Sequence, residues 1–286
     1  ILGNGSNEIL EFIVRMTLNN SSETIIPKHS FLVYEIISKL QGAKVVTSRP
    51  EMNRSSPNYL GVDLKSIQEK ITKYTKLIFI ANPGNPTGTY IKIEEIDKFI
   101  NSINKNITIV VDEAYYEYLD SRVNKSAVSL IRKYKNLVVT RSFSKIYGLA
   151  ALRVGYGISN QELIASLNLF KQPFNTNLFA QKAAELAMSD DKFIENSKLN
   201  NSVMLNKLVK TFKELSINYL GTSCNFLTFE VKRSSDALFK YLLKNGIIVR
   251  PLRNYKLSKY LRVSLGTPSD MHRFIKSLRS YYNEKI

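Results

Sequence analysis

The sequence predicts an α/β fold, a mostly parallel sheet flanked by helices, followed by a smaller α+β domain. Three observations predict it. Apolar strand-like runs alternate with helix-period segments over the first two-thirds of the 286 residues. Two runs, Lys76–Ala81 and Ile107–Val111, are apolar without alternation, as in strands covered on both faces. Beyond residue 200 the order changes to helix, strand, helix, two strands, helix, which places a large domain over 1–200 and a small one over 201–286.

Taken in order, Gly3-Asn4-Gly5-Ser6-Asn7-Glu8 opens into a helix with Ile9, Phe12, Ile13 and Met16 on one stripe. A glycine turn before a helix is an anion site, because free N–H groups and the helix dipole point outward there; plain N-capping by Ser6 or Asn7 is the alternative. Thr24–Ile26 is a short strand closed by Pro27, and Ser30–Tyr34 leads into a helix through Gln41. Phe31, at that strand's exit, suits either the core or the face of an aromatic ligand. Gly42–Val46 is a strand, Arg49–Gly61 a surface loop and Asp63–Thr72 a helix.

The strand Lys76–Ala81 ends in Asn82-Pro83-Gly84-Asn85-Pro86-Thr87-Gly88. One Asn-Pro would make the turn; its repetition with Thr-Gly fixes an asparagine side chain in space. A helix from Ile93 to Ile103 returns the chain to Ile107–Val111, and Asp112-Glu113-Ala114-Tyr115 follows at once. A carboxylate at the end of a buried strand needs a cationic partner, unless it caps a helix or pairs with an arginine.

The run Leu137–Thr140 feeds Ser142-Phe143-Ser144-Lys145, a glycine turn, and Arg153 eight residues beyond the lysine. Such a lysine alone reads as a solvated charge. Beside two hydroxyls and an arginine that can gather phosphate oxygens, it suits covalent imine chemistry next to a bound phosphate, which is what pyridoxal 5'-phosphate requires. Val154–Ile158 is a further strand, and Asn160–Lys171 a helix broken by Gln172–Asn177. Ala180–Met188 and Asp190–Leu215 are helical.

Asn225–Val231, Ser235–Asn245, Ile247–Val249 and Tyr260–Ser264 build the small unit. Its last helix starts with Thr267 as cap, Pro268 at the first position and Asp270 three residues after the cap, and buries Met271, Phe274, Ile275, Leu278 and Tyr282.

Composition narrows the function classes. With one cysteine, Cys224, and two histidines there is no intrachain disulfide and no metal-ligand cluster, so a reducing, cytoplasmic setting and no metal are expected. No apolar run is long enough to span a bilayer. The net charge of +17 is spread along the chain without a basic stripe, which favours a lysine-rich surface, then steering of anionic substrates, over nucleic-acid binding. The chain starts without methionine and in mid-motif, so upstream residues are expected.

Phe31, Asn85, Asp112, Ser142 and Lys145 all fall just past strand C-terminal ends, where ligands bind in parallel sheets. Asn-Pro-x-Asn-Pro-Thr-Gly, Asp-x-Ala-Tyr and Ser-x-Ser-Lys with the later arginine resemble the fold-type I pyridoxal-phosphate aminotransferases. Gly-Asn-Gly-Ser-x-Glu, Gln-Pro-Phe-Asn-x-Asn and Tyr-Leu-Arg-Val-Ser-Leu-Gly-Thr-Pro are similar to the histidinol-phosphate aminotransferases among them, over essentially the whole chain.

The resemblance implies the following roles. Lys145 is the catalytic lysine. Asp112 holds the ring nitrogen, Asn85 and Tyr115 the ring 3'-oxygen, and Phe31 stacks on the ring. Ser142, Ser144, Arg153 and the backbone of Ser6 and Asn7 hold the phosphate. Arg262 takes the substrate's anionic group with help from Arg250, and Asn175 and Asn177 lie near the cofactor or the substrate imidazole. It implies transfer of an amino group between histidinol phosphate and 2-oxoglutarate in histidine biosynthesis, by a homodimer. An aromatic amino acid aminotransferase, a decarboxylase of a phosphorylated amino acid and a non-catalytic ligand-sensing module stay open. Asn7 stands where the family usually has Asp, and the family's segment before Gly3, an arm and a tyrosine reaching the partner's site, has no counterpart here.

Overall fold

The computed structural model describes residues 1–120 and 125–283. Its large sheet has the order β1 (Leu2–Gly3), β7 (Gly155–Ile158), β6 (Leu137–Ser142), β5 (Thr108–Asp112), β4 (Thr75–Ala81), β2 (Glu23–Pro27), β3 (Lys44–Ser48). From β6 to β3 every neighbouring pair is parallel; β7 runs antiparallel to both β6 and β1. β1 was legible in the sequence only as the start of a glycine loop. It pairs Gly3 with Gly155, two residues with no side chain to hold helix and edge apart.

Period-2 alternation splits β4 between two cores. Ile78 and Ile80 meet α3 (Leu64–Glu69) and α4 (Ile93–Ser102), whereas Leu77, Phe79 and Ala81 meet α1 (Ser6–Thr17) and α2 (Leu32–Leu40). The unbroken apolar runs are therefore strands covered on both faces. Asp63 caps α3 by accepting from the Ser66 amide at 3.0 Å. Asn160 likewise caps α5 (Gln161–Asn168), and Asp190 caps α7 (Asp191–Glu214).

The second sheet, β8 (Phe226–Glu230), β10 (Tyr260–Ser264), β9 (Arg250–Pro251), is antiparallel throughout. One face closes a separate core with α7, α8 (Ser235–Lys244) and α9 (Pro268–Asn283), into which Met204, Leu208, Phe212, Leu238, Leu242 and Phe274 are packed. Thr267 and Asp270 form a reciprocal cap on α9: each side chain accepts from the other's amide, at 3.3 and 3.2 Å.

Two expectations shift. The run Ile247–Val249 is not a strand, since the ladder with β10 begins at Arg250 and Ile248 points outward, 82% exposed. Tyr281 is the fully packed tyrosine of α9, its ring 5.1 Å from that of Tyr241, and Tyr282 is only partly buried. The α9 stripe is wide enough to take both edges, and Tyr241 of α8 waits on the Tyr281 side.

Candidate active site

Four parallel strands and a helix N-terminus deliver side chains to one cavity of about 220 Å³ at the carboxyl edge of the large sheet. Ser6 and Asn7 of α1, Phe31, Asn85, Asp112, Tyr115, Ser142, Ser144, Lys145 and Arg153 all line it. They come from separate motifs spread over 148 positions, yet the parallel arrangement ends each strand at the same rim.

The helix start is shaped by glycine. The N-cap of α1 is Gly5, at φ 77, with no side-chain capping bond, so Ser6 and Asn7 open the helix instead of capping it. A Cβ at Gly5 would lie 2.4 Å from Arg153 Nη2, and one at Gly155 2.4 Å from the Ser6 amide nitrogen. Any other residue at either place would push the arginine or the amides aside. Arg153 donates to Ser144 Oγ at 3.3 Å, and Ser142 Oγ accepts from the Ser144 amide at 3.0 Å. Amides, two hydroxyls and a guanidinium thus face one corner of the cavity, a donor set made for an anion.

At the other end, Asp112 is buried and, among the described residues, pairs with no arginine or lysine. Its carboxylate accepts from Tyr34 Oη at 2.6 Å and Thr140 Oγ1 at 3.0 Å. Burial pushes its pKa up, opposed by those donors, the Ala114 amide and the charge of Lys145. Burial likewise pushes Lys145 down, assisted by the guanidiniums of Arg262 and Arg153 and opposed by Asp112. A lysine held toward its neutral amine is a nucleophile and a base. Its Nζ lies 5.3 Å from the centroid of the Tyr115 ring, which packs edge-on to Phe226.

Arg262, on β10, reaches the rim from the small sheet. Its guanidinium donates to Asn85 Oδ1 and lies 4.7 Å over the Phe226 ring. The other residues proposed from sequence for the substrate lie elsewhere. Arg250 faces Arg262 across the ladder but is exposed on the edge strand, in a groove with Asp236 and Arg253. Asn175 donates to Glu8 Oε2 at 2.6 Å, tying its loop to the start of α1. Asn177 caps α6 (Leu178–Met188) through the Ala180 amide. None of these three lines the cavity, and Arg262 meets it only through Asn85.

Two residues were missed. Tyr34 lines the cavity three positions after Phe31, the spacing of one helix face, which was the available signal. Thr140 read as a member of an apolar strand, and nothing local marks it as a partner of Asp112.

The chain matches the model of aminotransferase class I and II over residues 1–278. It belongs to that family. Relatives of this aminotransferase include histidinol-phosphate aminotransferase 1 of Idiomarina loihiensis, 40% identical over 278 residues, covering 97% of the chain and 74% of the relative. The histidinol-phosphate aminotransferase of Pelagibacter ubique is also 40% identical, covering 99% and 78%. Among solved structures, that of the Clostridium acetobutylicum histidinol-phosphate aminotransferase superposes with a TM-score of 0.90 at 27% identity, covering 99% of this chain and 84% of that one.

Class I and II aminotransferases depend on pyridoxal 5'-phosphate. The cavity of this aminotransferase fits the cofactor on its own terms: an anion cradle that a Cβ at Gly5 or Gly155 would fill, a buried acid at the far end and an amine between them. Among the described residues no helix is long and apolar enough to cross a membrane.

Proposed function

We propose that this aminotransferase exchanges the amino group of histidinol phosphate with 2-oxoglutarate, giving imidazole-acetol phosphate and glutamate in histidine biosynthesis. One observation carries the reading: Lys145, Asp112, Asn85 and Arg153 line a single cavity whose rim receives Arg262 from the second sheet. The likeness to histidinol-phosphate aminotransferases over nearly the whole chain supports the choice of substrate.

Pyridoxal phosphate, when bound, supplies an electron-withdrawing ring that stabilises negative charge at the substrate Cα. The chain does the rest. The Ser6 and Asn7 amides, Ser142, Ser144 and Arg153 hold the phosphate at the cradle. Asp112 keeps a proton on the ring nitrogen by its negative charge, and Asn85 and Tyr115 donate toward the ring oxygen. Phe31 covers one ring face. Lys145, already biased toward its neutral form, would be the amine that holds the cofactor covalently and the base that moves the proton at the substrate Cα. Arg262 is the residue placed to bind the substrate's phosphate or glutamate's carboxylate through paired N–H donors, whereas Arg250, exposed in a separate groove, drops out of the substrate site.

The division into domains 1–200 and 201–286, the last three residues lying outside those described, is supported by the separate cores of the two sheets, with the boundary inside α7. A homodimer is supported by the apolar side chains exposed between residues 169 and 203, among them Leu169, Phe174, Phe179 and Leu186. A cytoplasmic setting accords with the lone, buried Cys224. Half-reaction spectroscopy of the cofactor-loaded protein with histidinol phosphate, phenylalanine and tyrosine tests the assignment. Fastest conversion by histidinol phosphate supports it, and a preference for either aromatic amino acid overturns it.

A further inference from the structure

Asp112 sits in an unusual position for a carboxylate. It ends an apolar strand and is 6% exposed, and its donors are two neutral hydroxyls, Thr140 on Oδ1 and Tyr34 on Oδ2, and the Ala114 amide. Tyr34 is wholly buried and held from two sides. Its ring lies parallel to Phe79 at 4.5 Å between centroids, and Phe31 meets it edge-on at 5.7 Å. The hydroxyl is thereby aimed by packing. Burial and the charge of Asp112 both push the Tyr34 hydroxyl well above the usual tyrosine pKa, so it remains the donor at every working pH.

We propose that Tyr34 is a positioning residue of the reaction: its hydroxyl orients Asp112 and holds that side chain toward its ionised form for the ring nitrogen of the cofactor. The proposal rests on the reading of the cavity as a pyridoxal-phosphate site. Physically, a carboxylate in an apolar strand end keeps its charge only as far as donors replace lost water. The Tyr34 bond is shorter than that of Thr140 and comes from a ring that cannot turn away without opening the core around Phe79. Because Phe31 leans on the same ring, Tyr34 also sets the distance between the residue proposed for the cofactor's face and the one proposed for its nitrogen.

Tyr34→Phe removes the donor and keeps the ring. In the cofactor-free protein, infrared difference spectra across a pH titration read the Asp112 carboxyl, its band identified by loss in Asp112→Asn. The protonated band is expected to persist to higher pH in Tyr34→Phe than in the wild type. In the loaded protein, the dissociation constant for pyridoxal phosphate should rise about tenfold, the loss of one hydrogen bond to a charged group.

An unchanged titration overturns the proposal whatever the affinity does, and a shifted titration with wild-type affinity overturns the positioning role. If Tyr34→Phe does not fold, Tyr34→3,5-difluorotyrosine, a stronger donor of the same shape, decides in the opposite sense. The band must then vanish at lower pH, and no movement refutes the claim. Failure of the wild type to bind pyridoxal phosphate would instead remove the reading of the site, while the cofactor-free titration still decides the Tyr34–Asp112 link.

Discussion

Arg262 and Asn85 are joined by a hydrogen bond between residues 177 positions apart, one on the small sheet and one after a strand of the large sheet. The link ties a cation of the small sheet, the one proposed for the substrate, to Asn85, which lines the cavity at the edge of the large sheet. A conservative change is informative here, because lysine keeps the charge but not the paired donors. Arg262→Lys should raise KM for both anionic substrates by about 10- to 100-fold, the worth of one or two charge-assisted hydrogen bonds, with a smaller effect on kcat. Steady-state kinetics with varied histidinol phosphate and varied 2-oxoglutarate check this. An unaltered KM for both would remove Arg262 from the substrate site.

Lys145→Ala should abolish transamination, with loss of at least about 10⁴-fold in kcat, since it removes the proposed nucleophile and proton carrier together. Binding of pyridoxal phosphate should survive in noncovalent form through the cradle of Ser142, Ser144 and Arg153. Absorbance of the purified variant reads both, because the spectrum should be that of the free aldehyde. Retained activity with a wild-type spectrum would refute the role of Lys145.

Glu113 and Arg141 lock the strand ends that carry Asp112 and Ser142. Arg141 donates to Glu113 Oε2 through Nε and Nη2, at 3.1 and 2.9 Å, with the side chains 15% and 3% exposed. Breaking a buried pair leaves one charge uncompensated, which costs about 3–5 kcal/mol. Glu113→Gln should lower the urea midpoint of the cofactor-free protein accordingly. A change below ~1 kcal/mol would show that the pair contributes little beyond its desolvation.

Glu117 gives the stability a pH dependence. Among the described residues its buried carboxylate has no side-chain hydrogen-bond partner, only its own backbone amide, and Arg141 Nη1 is 3.9 Å away. Burial raises its pKa to about 7 from 4.5, against the charge of Arg141. A carboxyl that keeps its proton longer when folded than when unfolded favours the folded state at low pH. That advantage is lost as pH climbs from 4.5 to about 7, at a cost on the order of 3 kcal/mol. Glu117→Gln should therefore gain stability over the wild type at pH 8 and differ little at pH 4.5. Urea melts at the two values decide it, and parallel pH curves for the two proteins would contradict the assignment.

Much of this protein is decided by its order of residues alone. The apolar runs Lys76–Ala81 and Ile107–Val111 could only be strands with both faces covered, and turn chemistry at Asn82–Gly88 and the Thr267–Asp270 cap are local effects that a sequence states directly. So are Lys145 and Asp112 as strand-end residues, because a parallel sheet puts all such ends on one rim. Tertiary structure decided what depends on neighbours distant in the chain. Tyr34 and Thr140 are ordinary core residues by pattern and become partners of Asp112 only when α2 and β6 flank β5. Asn175 and Asn177, polar residues in a broken stretch, are consumed by Glu8 and a helix cap, and Arg250 falls on an exposed edge while Arg262, its cross-strand neighbour, bonds to Asn85 beside the cavity. A hydrogen bond satisfies whichever donor packing brings closest, and packing is a property of the assembled layers.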